Sequence, residues 1–434
     1  MNQAALSLPV EPPILWGRSI AWLLLLGPFF FLSYGYANGL AASLGVERSL
    51  YFAWERGIPF WPWTILPYWS IDLLYGFSFL CCRGRGAVDR HALRLLSVQL
   101  LSVACFILFP LRFAFARPES DGLFGALFDA LTSFDQPYNQ APSLHIGLLV
   151  LIWAQFARLA TTPLRQALIH GWALLIGLSV LTTWQHHFID VPTGAVVGLL
   201  CLWLWPDAER APLPWRQGLS SSRRRWQLAT RYLLGAACLL LPAVLWQGLW
   251  LWCAWPALSL LMVALCYGWL DGAGFQKREG EQSLAVAVLM WPYRIGARIS
   301  ALYWRWVAAE ADAIADGLWL GRLPSRRRLE RDGFAAVVDV APEFPCPQGR
   351  WHIVSLPWLD LVPPTPAELD QAVHAIEAAR QHGKTLVACA LGYSRSAAAV
   401  AAWLYWSGRF PSIDEAIAEV QARRPQVRIK EALR

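Results

Sequence analysis

Eight apolar runs are spread over the first two thirds of this chain, and they restrict its possible folds more than any other feature. They lie near residues 20–36, 60–82, 93–109, 144–156, 168–184, 191–205, 232–250 and 253–270. In hydrocarbon every backbone amide must find its partner inside its own segment, so runs of this length predict membrane-spanning helices. Composition agrees. Charged residues make up 15% of the 434, against about 25% in an ordinary soluble domain, and the 26 tryptophans suit membrane interfaces. The net charge of +7 does not point to nucleic acid, because the arginines stand in short loops between apolar runs and no aromatic-basic motif accompanies them. No Cys/His spacing suits zinc, and most of the nine cysteines fall in apolar runs as packers, not in a disulfide framework.

The loop arginines set an orientation. Arg83, Arg85, Arg90 and Arg94, then Arg158 and Arg165, then the arginines between 210 and 231 fall on one side. Only Arg48, Arg56, Arg112 and Arg117 fall on the other. The positive-inside rule puts both termini in the cytoplasm. Residues 207–304 read as a basic linker, two further spanning helices and an amphipathic connector; the amphipathic pattern runs from Gly280 to Ala309, and its Trp291, Tyr293, Trp304 and Trp306 suit an interface. Residues 305–434 read as a mixed α/β domain. Strands are expected at 318–321, 336–340 and 351–354, and helices at 366–381, 397–406 and 413–423.

Within that domain, Cys389-Ala390-Leu391-Gly392-Tyr393-Ser394-Arg395-Ser396 follows an apolar strand-like run and opens an alanine-rich helix. Strand, tight loop and helix N-terminus together form an anion site. The backbone N–H groups through Gly392, Tyr393 and Ser394 converge, and the helix dipole adds positive charge. The same field favours the thiolate form of a cysteine at the loop's start. Arg395 can grip two phosphate oxygens, Ser396 puts a hydroxyl near the sulfur, and Asp360 lies upstream in a proline-bounded loop. A buried cysteine followed by an ordinary helix cap is the plainer alternative.

These residues resemble the dual-specificity branch of the cysteine phosphatases, over roughly residues 305–434. The resemblance implies that Cys389 attacks phosphorus, Arg395 holds the phosphoryl oxygens, Asp360 protonates the leaving group and Ser396 assists the thiolate's departure. The histidine usual before the cysteine is Ala388 here.

A second constellation sits at the outer ends of the middle helices. It comprises Arg112, Arg117-Pro118, Pro142-Ser143-Leu144-His145 and His186-His187-Phe188-Ile189-Asp190. His186 and Asp190 are four apart and share one helical face. A carboxylate on one ring nitrogen fixes the tautomer and makes the other nucleophilic. His145 is then the candidate acid, and Arg117 with Ser143 the phosphate holder. Ser143 and Asp190 also fit as caps of the helices that follow them.

This set is similar to the type 2 phosphatidic acid phosphatase superfamily, over about residues 55–206, with Leu144 as in its sphingolipid phosphotransferase (inositol phosphorylceramide synthase-like) branch. By that resemblance His186 is the nucleophile, Asp190 its partner and His145 the acid. Pro110 and Val180 stand where two phosphate-binding cations are usual, and Arg112 is the candidate replacement for one of them.

The sequence therefore predicts an α-helical membrane domain of about eight spanning helices with a six-helix core, 1–206, the connecting segment 207–304, and a cytoplasmic α/β phosphatase domain, 305–434. It resembles known fusions of the two families in a bacterial-type inner membrane. The expected activity is hydrolysis of phosphate monoesters, of phosphorylated lipids, at a cytoplasmic cysteine site and an outer histidine site. Neither module calls for a metal or cofactor. A tethered protein phosphatase with a non-catalytic lipid-binding anchor is the alternative, and headgroup transfer is a further reading of the outer site.

Overall fold

The computed structural model describes residues 12–207, 210, 213–214, 218–304 and 310–429. The chain divides into two compact units, Met1–Ala208 and Glu209–Arg434.

The first unit is helical. Its helices are α1 (Trp16–Ser43), α2 (Ile65–Leu80), α3 (Arg85–Leu108), α4 (Gly122–Thr132), α5 (Leu144–Ala157), α6 (Pro163–Thr182) and α7 (Asp190–Leu204). The interior is an apolar cluster that includes Ile65, Phe79, Val98, Leu151, Ile176 and Val180. The outside is apolar too, with Leu24, Leu32, Leu73, Leu168 and Leu174 each well over half exposed, as a lipid-facing surface requires. Glycines bring α5 against α7. A Cβ on Gly194 would stand 2.3 Å from the Ser143 carbonyl oxygen, and one on Gly198 would stand 2.7 Å from that of Gly147. That close approach draws the start of α5 to the start of α7.

The second unit begins with α8 (Arg223–Trp246) and α9 (Ala254–Leu265). α9 continues through a π-turn, Cys266–Leu270, and a 3-10 turn, Asp271–Phe275. A two-stranded hairpin follows, β1 (Lys277–Arg278) and β2 (Glu281–Gln282), then α10 (Leu284–Leu289) and α11 (Trp291–Trp304). The expected interfacial tryptophans Trp291 and Trp304 are exposed on α11, whereas Trp306 lies outside the described residues.

The remainder is a five-stranded sheet with helices: β3 (Ala311–Ala315), β4 (Leu318–Arg322), α12 (Arg326–Arg331), β5 (Ala336–Asp339), β6 (His352–Ser355), α13 (Pro366–Arg380), β7 (Thr385–Cys389), α14 (Arg395–Trp406) and α15 (Ile413–Arg423). The strand order is β3-β4-β7-β5-β6. Only β3 runs antiparallel to its neighbour. The central β7 is buried along its length, and Cys389 is its last residue. Its loop thus opens at the carboxyl edge of the parallel strands, where such sheets bind ligands.

Each of the eight apolar runs falls on a helix. Five helical stretches are long and apolar enough to cross a membrane: Trp16–Ser43, Arg85–Leu108, Pro163–Thr182, Arg223–Trp246 and Gly248–Phe275. Helices α2, α5 and α7 have 16, 14 and 15 residues, shorter than the roughly 20 a 30 Å hydrocarbon layer takes. The expected strands and helices of the α/β domain are present within a residue or two. Edge strand β3 and the arginine-rich α12 were not anticipated: alanines signal strands poorly, and six residues show little helical periodicity.

Candidate active sites of the two units

In the second unit, the loop from Cys389 to Ser394 wraps a sulfur met by hydrogen-bond donors. The Gly392 N–H and the Ser396 hydroxyl each lie 3.2 Å from Cys389 Sγ. Gly392 has φ +72°, and a Cβ there would fall 2.5 Å from the Gly321 carbonyl carbon, so the loop must carry glycine at this point. Arg395 is buried at the first turn of α14. Its Nη1 donates to Glu343 Oε2 and to the Trp358 carbonyl, both at 2.9 Å, and its Nη2 donates to Glu343 Oε1 at 2.5 Å. Asp360 Oδ1 lies 3.3 Å from Arg395 Nη2, on a half-exposed side chain. Burial pulls the Arg395 guanidinium down, but Glu343 and then Asp360 outweigh it and hold its pKa well above the ordinary value. Glu343 is fully buried: burial pushes its carboxyl up, and Arg395 brings it below the usual range. The cradle is thus a fixed cation with one strongly bound carboxylate, Glu343, and one loosely held carboxylate, Asp360, that an arriving anion can displace.

Sequence reasoning missed the supports of this loop. Glu343 had no motif to mark it. Arg424 is fully buried; its Nε donates to the Gly392 carbonyl at 2.9 Å and its Nη1 to Asp312 on β3 at 2.5 Å. The Tyr393 hydroxyl donates to the Trp304 carbonyl at 3.0 Å, so that side chain points away from the anion cup. Ser394 is the N-cap residue of α14 without a side-chain cap bond.

In the first unit, His186 Nδ1 lies 3.2 Å from Asp190 Oδ2. That oxygen also accepts the His187 N–H at 2.9 Å. Asp190 is not an N-cap, since Ile189 occupies that position. Ser143 does cap α5, its hydroxyl accepting the Ile146 N–H at 3.3 Å, and its own N–H donates to the Asp190 carbonyl at 3.0 Å. His145 is partly buried, its ring stacked on Tyr68 at 4.1 Å, and its buried Nε2 has no partner. A cavity of about 200 Å³ takes His186 and Arg117 into its wall, with Tyr34, Asp135, Asn139 and Gln140. The Arg117 guanidinium lies 4.4 Å over the Phe128 ring. Arg112 is exposed and is not among the residues lining the cavity. Val180 is buried in the apolar core.

The two adjacent histidines separate cleanly. His187 Nδ1 lies 3.0 Å from Glu55, its Nε2 accepts the Ala114 N–H at 3.0 Å, and Phe113 stacks on the ring at 4.3 Å. Both nitrogens are occupied, so His187 ties the α1–α2 and α3–α4 loops together and His186 is left facing the cavity. The sequence showed neither Glu55 nor Asp135 as special; Asp135 accepts the Tyr34 hydroxyl at 2.9 Å.

Comparison with known families gives both units a place. The PAP2 superfamily model matches residues 91–211, and the dual specificity phosphatase catalytic domain model matches residues 318–433. Solved structures similar to the second stretch include human DUSP28, 29% identical over 29% of this chain and 88% of that chain, TM-score 0.27. Tk-PTP in its active form is 27% identical over 29% and 91%, TM-score 0.26. PTPMT1 in complex with PI(5)P is 25% identical over 29% and 89%, TM-score 0.26. The class is therefore a membrane phosphatase, a phosphoric monoester hydrolase. More particularly, the chain joins a PAP2 superfamily domain to a C-terminal dual specificity phosphatase domain.

Proposed function

We propose that the protein hydrolyses phosphate monoesters of phosphorylated lipids, with a cysteine site on the cytoplasmic side and a histidine site on the outer side of an inner membrane. The domains run 1–206, 207–304 and 305–434. The observation that carries the cysteine reading is the Cys389 sulfur under the Gly392 N–H and the Ser396 hydroxyl, beside Arg395. Cys389 Sγ attacks phosphorus, the S–P bond forming as the bond to the leaving oxygen breaks. Asp360 gives that oxygen its proton. Water then attacks the phosphocysteine, Asp360 takes the water's proton, and the Ser396 hydroxyl stabilises the departing thiolate. Arg395 and the loop amides through Gly392, Tyr393 and Ser394 hold the transferring phosphoryl group.

At the outer site His186 is the nucleophile, oriented by Asp190. His145 is the acid, and Arg117, with Ser143, binds the phosphate; Arg112, expected to replace a missing cation, stands outside the cavity and takes no part. The support is the pairing of His186 with Asp190 and the presence of His186 and Arg117 in one cavity wall. Phosphate release from the full chain in detergent over a panel of lipid phosphates tests both sites. Cys389→Ser should abolish the cytoplasmic part and His186→Ala the outer part. Full turnover in Cys389→Ser overturns the assignment.

A second reading is favoured by Val180, an apolar core residue where the outer motif carries a cation. In it the membrane unit is a non-catalytic lipid-binding anchor for a protein tyrosine or serine phosphatase. Turnover of phosphopeptides but not lipid phosphates, with His186→Ala matching wild type, selects it. If a phosphorylated headgroup passes to an added acceptor lipid instead of phosphate appearing free, the outer site is a headgroup transferase.

A further inference from the structure

Both carboxylate-bearing loops around Arg395 are held from outside the matched phosphatase domain, by the segment that leaves the last membrane helix. Tyr267 lies in the π-turn ending that helix. Its hydroxyl donates to the Asp360 carbonyl at 3.0 Å. Its ring stacks on Tyr232 of α8 at 5.5 Å, and Tyr232 meets Tyr293 of α11 edge-on at 5.9 Å. Gly272 runs against the same acid loop so closely that a Cβ would stand 1.6 Å from the Pro357 carbonyl oxygen. At the foot of α8, Arg225 Nε donates to the Tyr267 carbonyl at 2.8 Å and Arg224 Nε to the Leu361 carbonyl at 3.4 Å. Leu361, next to the acid, is 57% exposed and has φ +58°, a conformation a leucine adopts only when its surroundings impose it.

A few residues on, Lys277 of β1 is buried beneath the other loop. Its ammonium pairs with Asp339 at the end of β5 and donates to the Ala341 and Phe344 carbonyls, each at 2.5 Å. Those carbonyls bracket Glu343, the carboxylate that fixes Arg395. Gly280 extends the seam, donating its N–H to Ser355 Oγ and accepting from the Cys346 N–H, each at 2.8 Å.

We propose that residues 266–282 are a working part of the phosphatase site: Tyr267 positions the Asp360 loop and Lys277 positions the Glu343 loop. The same contacts bind the site to the foot of the membrane hairpin, so its substrates are phosphate monoesters presented at the bilayer surface. The geometric reason is that Asp360 is one residue from a contact with the first turn of a spanning helix. An acid held there reaches a phosphate at headgroup depth. The inference rests on the reading of Cys389 as nucleophile and Asp360 as acid.

The test uses the full chain in lipid nanodiscs, every variant and its reference carrying His186→Ala so that only the cysteine site turns over phosphatidate. Tyr267→Phe removes one hydroxyl and keeps the ring packing. A badly placed acid harms only reactions whose leaving oxygen needs a proton. With phosphatidate, an alkyl phosphate, kcat/KM should fall about tenfold; with p-nitrophenyl phosphate, whose leaving group departs unprotonated, it should change less than about twofold. A purely structural role would lower both equally, and that result, or no change in either, overturns the proposal for Tyr267. Lys277→Met should weaken competitive inhibition by inorganic phosphate about tenfold, since Arg395 loses its aim; an unchanged inhibition constant overturns the proposal for Lys277. The reference should prefer phosphatidate in vesicles over a water-soluble dibutyryl phosphatidate by more than about tenfold, and equal kcat/KM overturns the surface claim. Cys389→Ser separates the two levels: if it retains turnover the underlying reading fails, whereas if it is dead and Tyr267→Phe behaves like the reference, the inference alone fails.

Discussion

At the residue scale, single atoms decide both sites. Gly392 takes a positive φ and packs its α-carbon on Gly321. Gly392→Ala should therefore cost about 1–3 kcal/mol of local strain and lower kcat/KM on p-nitrophenyl phosphate by about tenfold or more, because the N–H aimed at Cys389 moves with it. Steady-state kinetics on the variant checks this. Glu55 gives a pH signature. Burial would push its carboxyl up, but the His187 ring and the Phe52 and Phe188 amides hold it below the usual carboxylate value. A carboxyl depressed in the folded state adds stability that is complete above its unfolded value of about 4.3 and is lost as pH falls through the lower folded value. Glu55→Gln should be less stable at pH 7 by about 2 kcal/mol, and its stability should fall less than that of wild type between pH 5 and pH 3. Thermal melts across that range read both effects. The difference between His186 and His187 also belongs to this scale. Side by side in the sequence they look alike; their partners tell them apart, for His187 is held by Glu55 and Ala114 from other loops, whereas His186 pairs with Asp190 four residues on.

At the scale of elements, what the sequence made legible was whatever has a local cause. The run from Cys389 to Ser396 carries its own turn residue and its own helix start, so strand, loop and helix could be read directly from it. The eight apolar runs each became a helix for the same reason. What stayed hidden was contributed by contacts distant in sequence: Glu343 under Arg395, Arg424 behind Gly392, Lys277 behind Asp339. Nothing within a few residues of any of them signals that role. The close approach of α5 and α7 was likewise invisible, because a glycine in an apolar helix has many uses. Gly194→Ala would drive a methyl to 2.3 Å from the Ser143 carbonyl. Helices forced apart should cost about 1–3 kcal/mol and uncouple His145 from the His186–Asp190 pair. Outer-face lipid phosphate turnover should drop about tenfold or more, while turnover of p-nitrophenyl phosphate by the cysteine site stays as in wild type.

At the scale of the whole molecule, the chain is two compact units, each with its own chemistry. The division does not follow the change from apolar to polar sequence: α8 and α9, apolar as they are, cluster with the α/β domain. Composition could not show this, since a spanning helix has the same hydropathy whichever neighbour it serves. Two units predict two unfolding transitions in calorimetry of the detergent-solubilised protein. Glu55→Gln should shift one and Gly392→Ala the other, each by about 2–8 °C. A single transition moved by both would contradict the division. Under the proposed orientation, a reporter fused after Arg434 should be active on the cytoplasmic side.

The buried Arg424 carries a consequence for the gene. A nonsense codon at that position would spare every residue of the reaction centre and every strand of the sheet. Yet the truncated product would lose the guanidinium that spans Gly392 and Asp312, leaving an orphaned carbonyl behind the nucleophile's loop. Such an allele should lose turnover at the cysteine site while the first unit keeps its own.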